Sequence, residues 1–159
     1  MGNIITVRTA ELAVSHNDDS VRTGSIGSCI VIVLYDAVSK IGGLAHSMLP
    51  YRDEHHKAGP NEADQPAKFA DEGVDNLILE IQRQGGIKEN LSAKLIGGAS
   101  MFSKIAGGTQ SIGNRNVEAA RKRLTELAIP IDKEDTGGTA GKSVVINLAS
   151  GVVQVSSVM

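Results

Sequence analysis

The run SCIVIVLY, residues 28–35, is the feature that most restricts how this chain can fold. Its apolar residues occupy both alternating positions of an extended chain, so neither face of the predicted strand can lie against water. Other layers of structure must cover a strand of this kind on both sides. We therefore expect residues 28–35 to form a central strand of a layered domain.

The composition supports a layered domain of helices and strands. Aromatic residues make up 3% of the 159 residues, tryptophan is absent and glycine occurs 18 times. The core must then consist of Val, Ile, Leu and Ala packed closely over glycine turns. A chain of this length fits one compact domain, so we expect residues 1–159 to form a single domain that needs neither a disulfide nor a metal to fold.

Charge and cysteine content argue against several classes of function. A formal net charge of −2, with both signs interspersed, provides no positive surface for the phosphate contacts on which nucleic-acid binding depends. The lone cysteine, Cys29, cannot form an internal disulfide, and the first residues lack the apolar segment that export or membrane spanning requires. We expect a cytoplasmic protein with no nucleic-acid partner and no membrane insertion.

Sequence periodicity predicts further elements on either side of this strand. Strands are predicted in the runs NIITVRT, AELAVS, LSAKLIGG, IDKED, KSVVINL and VVQVSSV. One helix follows a long polar connection, with Asp64 as its cap and Pro66 in its first turn, and its apolar stripe extends to Ile81. A second helix begins near Asn114 and ends before Pro130. Two main helices are therefore expected.

The register of the central strand against the run that follows it decides which residues meet. The run IGGLAHSML resumes the apolar pattern after DAVSK, which predicts an antiparallel neighbour. A four-residue loop, Asp36–Ser39, would place Tyr35 opposite Lys40. Counting back along both strands then places Cys29 directly opposite His46 on one face. A loop one residue longer would separate them.

Cys29 has two interpretations, a packed core residue or a nucleophile. Free cysteine is among the most buried residue types, and a lone histidine in a strand is usually a core residue with its hydrogen bonds satisfied. In favour of a nucleophile, a sharp turn at Gly27 and Ser28 would leave backbone amides free to stabilise an oxyanion. An imidazole beside the thiol can take its proton and later protonate a leaving group, which is acyl transfer through a thioester. A third group must orient the ring, and Thr23 is a candidate.

Four other sequence features do not by themselves predict a catalytic or metal site. GGTAGKS, residues 137–143, is one residue short of a phosphate-binding loop, and the VVINL after it is a predicted strand where that loop requires a helix. DEHH, residues 53–56, lies in a polar segment where adjacent side chains diverge. We expect a plain turn and a solvated loop, with no metal and no cofactor. The glycines of GGASMF either shape a cleft or permit close packing, and NRNVEAARKR is interpreted as a solvated helix face.

Several motifs together resemble the CheD family of chemoreceptor glutamine deamidases. They are GSIGSCIVIVLYD, IGGLAHSMLP, KFADEGVDNLI, AKLIGGASMF, IGNRNVEAARKRL and EDTGG, in the order expected for that family. The resemblance covers residues 21–145. This chain departs from the family at Gly24 and Ser25, where Leu-Gly is frequent, and at Lys142, where arginine is common.

The resemblance implies a fold and a site. The fold is α+β, a layered sandwich with a mixed, largely antiparallel β core and two main helices packed outside. Cys29 corresponds to the family's nucleophile, His46 to its histidine and Thr23 to the threonine that completes its triad, with backbone support from Gly27 and Ser28.

The resemblance also implies a function. The expected activity is hydrolysis of glutamine side chains in methyl-accepting chemotaxis receptors to glutamate and ammonia, and a CheC-type phosphatase is an expected partner in some organisms. Two alternatives remain open: a non-catalytic module that binds receptors or a CheC-like partner, and a thiol hydrolase that acts on receptor methyl esters.

Overall fold

The computed structural model describes residues 2–52, 64–100 and 111–158. Over these residues the chain forms nine strands and two α-helices. In chain order they are β1 (Ile4–Thr6), β2 (Leu12–His16), β3 (Ser20–Ile26), β4 (Ile30–Asp36), β5 (Ile41–Ser47), α1 (Ala70–Arg83), β6 (Leu91–Gly97), α2 (Ile112–Glu126), β7 (Ile131–Thr136), β8 (Gly141–Asn147) and β9 (Val153–Val158).

The strands form two sheets. One sheet has four strands in the order β1-β3-β8-β9, and the other has five in the order β2-β5-β4-β6-β7. The pairs β1/β3 and β6/β7 are parallel, and the remaining pairs are antiparallel. The predicted fold class, an α+β sandwich with a mixed and largely antiparallel β core, is confirmed.

Strand β4 separates two apolar cores, as its sequence predicts. Ile30, Ile32 and Leu34 pack with residues of α1 and α2 in the core between the five-stranded sheet and the helices. Val31 and Val33 point the other way and pack with residues of the four-stranded sheet. Each fully buried aliphatic side chain of this kind contributes roughly 1.5–3 kcal/mol. Covering both faces of β4 therefore accounts for the three layers: sheet, sheet and helices.

The start of α1 differs from the prediction that Asp64 caps the helix. The helix begins at Ala70, because Phe69 is extended (φ −105°, ψ 136°) and bridges to Leu49 after the end of β5. The backbone hydrogen bond from Ala70 N to Leu49 O, 2.8 Å long, continues this pairing. The tertiary contact with Leu49 keeps this stretch extended and delays the helix by about one and a half turns.

The start of α2 is close to the prediction, and its cap has a clear cause. Ser111 Oγ accepts a hydrogen bond of 3.1 Å from the backbone N–H of Asn114, so the helix begins at Ile112. Glu126 is its last residue, ahead of Pro130 as predicted.

The β4–β5 hairpin corrects the predicted register by two residues. Ile30 pairs with Ser47 and Asp36 with Ile41, so the four-residue loop is 37–40 and Tyr35 does not oppose Lys40. The cause is the side chain of Asp36, whose Oδ1 accepts from the N–H groups of Val38 and Ser39 at 2.9 and 3.1 Å and closes the loop after the strand. A shift of two residues preserves which side chains share a face.

Asp36 is fully buried and ionised, which makes it a strong determinant of stability. Its exposure is 0%, and its Oδ2 accepts a further hydrogen bond of 2.9 Å from Ile87 N–H. Burial alone would raise the pKa of the Asp36 carboxyl, but the donated N–H groups of Ile87, Ser39 and Val38 outweigh it and hold the pKa below its ordinary value.

We expect Asp36→Ala to lower the free energy of unfolding by about 1–3 kcal/mol or more, because it leaves several backbone N–H groups unpaired. Since the folded pKa is depressed, the contribution of Asp36 is present above the ordinary aspartate pKa and is lost as the pH falls through the folded value. Urea unfolding at neutral and acidic pH measures both effects. The control Asp18→Ala removes an exposed carboxyl, and an equal loss in both variants would contradict this role of Asp36.

Candidate active site

The three side chains assigned to catalysis by resemblance lie where the two sheets meet. Thr23 is in β3 of the four-stranded sheet and His46 is in β5 of the five-stranded sheet. Cys29 is the last residue of the short connection 27–29 that carries the chain from β3 into β4. The sandwich, rather than any one sheet, brings these residues into one region.

A hydrogen bond joins Thr23 and His46 across the sheets. Thr23 Oγ1 lies 2.7 Å from His46 Nδ1 and 2.7 Å from the carbonyl oxygen of Val7. A carbonyl oxygen can only accept, so Thr23 donates its hydroxyl proton to Val7. The same Oγ1 must then accept from Nδ1–H of His46. This network assigns the ring proton to Nδ1 and the lone pair to Nε2.

Burial keeps His46 neutral. The residue is 1% exposed, and this burial lowers the pKa of its imidazole. Nε2 has no hydrogen-bond partner among the residues that the structure describes. A neutral ring with a free lone pair at Nε2 can act as a general base.

Cys29 does not pair with His46, so the predicted direct pairing of the two residues is wrong. His46 pairs with Val31, because the loop closed by Asp36 shifts the register. Cys29 lies in the connection before β4, two residues ahead of Val31, and its sulfur is not a hydrogen-bond partner of His46 Nε2.

The thiol and the imidazole are both favoured in their neutral forms. Cys29 is half-buried, and burial raises the pKa of its thiol while its own N–H partly opposes this. The pKa of His46 moves in the opposite direction. The free protein is therefore expected to hold a thiol and an imidazole, with proton transfer coupled to attack on a substrate.

We expect alkylation of Cys29 by iodoacetamide to accelerate through a midpoint above the value of about pH 8.5 for free cysteine, because the raised pKa delays thiolate formation. Mass spectrometry of the adduct over a pH series measures the rate, and a chain with one cysteine gives a single adduct. A midpoint near or below neutral pH would reveal a resting thiolate–imidazolium pair and contradict this expectation.

The three carbonyl groups of segment 27–29 are all hydrogen-bonded, which orients its peptide units. The bonds run from Ala99 N to Gly27 O (2.9 Å), from Asn116 Nδ2 to Ser28 O (2.8 Å) and from Gly98 N to Cys29 O (2.7 Å). In a trans peptide unit the N–H points away from the C=O. The N–H groups of Ser28 and Cys29 therefore each point away from the carbonyl of their own peptide unit, and neither bonds to another residue in the described part of the chain. Two such donors can stabilise an oxyanion.

A bulge in β3 determines which of its side chains, including that of Thr23, are buried. Thr23 pairs with Val144 and Ile26 with Lys142, so β3 has one residue more than β8 over this stretch. Thr23 and Ile26 are consequently both buried although they are three residues apart. Ser25, within the bulge, has φ +56°, a left-handed conformation that glycine adopts most easily. This explains why the CheD pattern often has glycine there.

Gly97 and Gly98 permit close packing beneath the cysteine segment. Gly97 has φ +115°, and a Cβ there would lie against the carbonyl oxygen of Cys29. Gly98 has φ +65°, and a Cβ there would overlap Val117 of α2. Of the two interpretations of these glycines in GGASMF, close packing is the one that applies to both.

Two groups at the site are not among the residues that the sequence patterns predict. One is the carbonyl of Val7, which no pattern could reveal because every residue has one. The other is Asn116, which is 0% exposed within a segment interpreted as a solvated helix face. Its helical spacing was the available signal: residues 116, 120 and 124 are four apart, so Asn116 lies on the side of α2 that carries the buried Ala120 and Leu124.

The remaining motifs do not contribute to this site. Residues 137–140 of GGTAGKS connect β7 to β8. Lys142 lies in β8, and its Nζ is 2.6 Å from Asp135 Oδ1. DEHH, residues 53–56, lies outside the described residues. In the ranges that the structure covers, no helix is both long enough and apolar enough to cross a bilayer.

A buried histidine oriented by a hydroxyl and a half-buried cysteine are residue types that cysteine hydrolases use. A family model described as CheD chemotactic sensory transduction matches residues 48–157. The chain belongs to the CheD family. The family match begins just after His46, whereas the relatives below share a span that includes all three candidate residues.

Two relatives and one solved structure illustrate the similarity. A probable chemoreceptor glutamine deamidase CheD from Pyrococcus abyssi is 38% identical over 155 residues, 98% of this chain and 92% of the relative. A chemoreceptor glutamine deamidase CheD from Halalkalibacterium halodurans is 40% identical over 148 residues, 92% of this chain and 89% of the relative. The Bacillus licheniformis protein YfiH matches with a TM-score of 0.47 and 15% identity, over 86% of this chain and 60% of its own.

Proposed function

We propose that this protein is a glutamine deamidase that acts on chemotaxis receptors. The observation that carries the proposal is the hydrogen bond between Thr23 Oγ1 and His46 Nδ1, which leaves the lone pair of Nε2 to act as the base. The names of the relatives support the substrate, a glutamine side chain of a chemoreceptor. We place the reaction in the cytoplasm, where a catalytic thiol stays reduced.

The acylation half of the reaction uses the thiol and the imidazole together. Cys29 Sγ forms a bond to the carboxamide carbon while His46 Nε2 takes the thiol proton. The N–H groups of Ser28 and Cys29 stabilise the oxyanion that results. The imidazolium then gives its proton to the departing nitrogen, the C–N bond breaks, and ammonia leaves a thioester on Cys29.

Hydrolysis of the thioester returns the site to its starting state. A water molecule attacks the thioester carbon as His46 Nε2 takes one of its protons. The C–S bond breaks, the Cys29 sulfur recovers the proton, and the receptor retains a glutamate in place of the glutamine. Throughout, Thr23 accepts from Nδ1–H and so stabilises the imidazolium in the orientation that both half-reactions need.

Intact-mass analysis of purified receptor incubated with the protein tests this function. Deamidation replaces NH2 by OH and raises the receptor mass by about one mass unit per site, and peptide mapping should place each change on a glutamine. Receptor incubated without the protein is the blank. A loss of one CH2 from methylated receptor would favour the methyl-ester hydrolase, and binding with no change of mass would favour the non-catalytic module. Co-purification with a CheC-type phosphatase tests the second predicted partner.

A further inference from the structure

Asn116 of α2 connects the two chain segments that carry the cysteine and the histidine. Its Nδ2 donates to Ser28 O at 2.8 Å and to Met48 O at 3.0 Å. Ser28 directly precedes Cys29, and Met48 lies two residues after His46. One side chain therefore ties the helix layer to both strands of the site.

The chemistry of the two partners assigns the orientation of this amide. Both partners are carbonyl oxygens, which only accept, so the NH2 group must face them. Oδ1 is then buried without a hydrogen-bond partner among the described residues. A buried acceptor left unpaired costs about 1–3 kcal/mol. The two hydrogen bonds that the NH2 group donates explain why an asparagine occupies this position, although its Oδ1 has no partner among the described residues.

The bond to Ser28 O determines where the Cys29 N–H points. Ser28 C=O and Cys29 N–H belong to one peptide unit, and in a trans unit they point in opposite directions. Fixing the carbonyl on α2 directs the N–H away from the helix layer, and His46 contacts the opposite layer through Thr23. Without the amide, this peptide unit lacks the side-chain contact that holds its orientation.

We propose that Asn116 is a positioning residue that orients the Cys29 N–H as an oxyanion donor. The inference rests on the proposed deamidase function. It predicts a selective defect: steps that develop an oxyanion should slow, whereas attack of the thiol on a substrate with no carbonyl at the reacting carbon should not. Iodoacetamide provides the second case, because alkylation occurs at its CH2 group and forms no oxyanion.

The test compares turnover and alkylation in Asn116→Asp, which preserves size but leaves at most one proton to share between two carbonyl oxygens. We expect kcat for ammonia release from receptor to fall at least about tenfold, with little change in KM, as for loss of an oxyanion donor. The alkylation rate of Cys29 should stay within about twofold of the wild-type rate. Asn114→Asp makes the same substitution at an exposed position two residues earlier and should change neither rate.

Two results would overturn the proposal: an unchanged kcat in Asn116→Asp, or equal falls in turnover and alkylation, which would indicate a general disturbance of the site. If Asn116→Asp fails to fold, Asn116→Ala carries the same comparison, and Asn116→Gln, which retains the NH2 group, should recover part of kcat. Wild-type protein that releases no ammonia would instead refute the deamidase function. The two failures are therefore distinguishable.

Discussion

Cys29→Ala is expected to bind receptor normally and leave its mass unchanged. Removing the sulfur removes the atom that forms the thioester, and no other cysteine exists to replace it. Loss of a covalent nucleophile costs on the order of a thousandfold or far more in kcat, because what remains is binding and oxyanion stabilisation without a bond-forming atom. Intact-mass analysis of receptor after prolonged incubation measures the effect, and a pull-down with the same receptor measures binding.

Alkylated wild-type protein is the matched control for this variant. Iodoacetamide modifies the single thiol without changing the sequence, so a folded and alkylated protein should be as inactive as Cys29→Ala. Deamidation that survives both treatments would contradict the assignment of Cys29 as nucleophile. Binding that survives with no activity even in the untreated protein would point to the receptor-binding module.

Thr23→Val is expected to lower kcat by about a hundredfold, less than the roughly 10⁴-fold effect of losing a charged orienting group. Valine has nearly the shape of threonine but cannot accept from Nδ1–H. The imidazole would then lose the contact that fixes its tautomer and stabilises its charged form. The variant also leaves Val7 O and His46 Nδ1 unpaired in the interior, so the free energy of unfolding should fall by about 1–3 kcal/mol.

Thr23→Ser separates the hydroxyl from the methyl group. Serine retains the oxygen that bridges Val7 and His46, so most of kcat should be preserved even if some packing is lost. Ammonia release measured at saturating receptor gives kcat for both variants. Equal activity of Thr23→Val and the wild type would show that the hydrogen bond to His46 is not required for catalysis.

Local patterns were sufficient to predict most of the secondary structure. Apolar residues on both faces of 28–35 require a strand between two layers, and the stripe ending at Ile81 requires a helix with one buried face. Both predictions depend on the burial of side chains that are close together in the sequence. They can therefore be made without knowledge of the tertiary structure. The start of α1 could not be found in this way, because a bridge between Phe69 and Leu49, distant in sequence, keeps the preceding residues extended.

The register of the β4–β5 hairpin shows the limit of counting along a sequence. Asp36 looks like a loop residue, yet it ends the strand because its carboxylate accepts N–H groups from the loop and from Ile87, far along the chain. The local bonds close the loop one residue later than predicted and shift the pairing by two residues, and the bond from Ile87 holds the carboxylate in the interior. An even shift preserves which strand positions share a face, and His46 pairs with Val31, two residues after Cys29.

The sequence by itself determined the layered class, the central strand and, through the CheD motifs, which cysteine, histidine and threonine to consider. Only the tertiary structure decided that Thr23 of one sheet contacts His46 of the other, that Val7 O assigns the ring proton to Nδ1, and that Asn116 orients the peptide before Cys29. The physical reason is that burial and alternation are local properties of a strand or helix. Hydrogen bonds between layers depend instead on how those elements stack, which no spacing along the chain encodes.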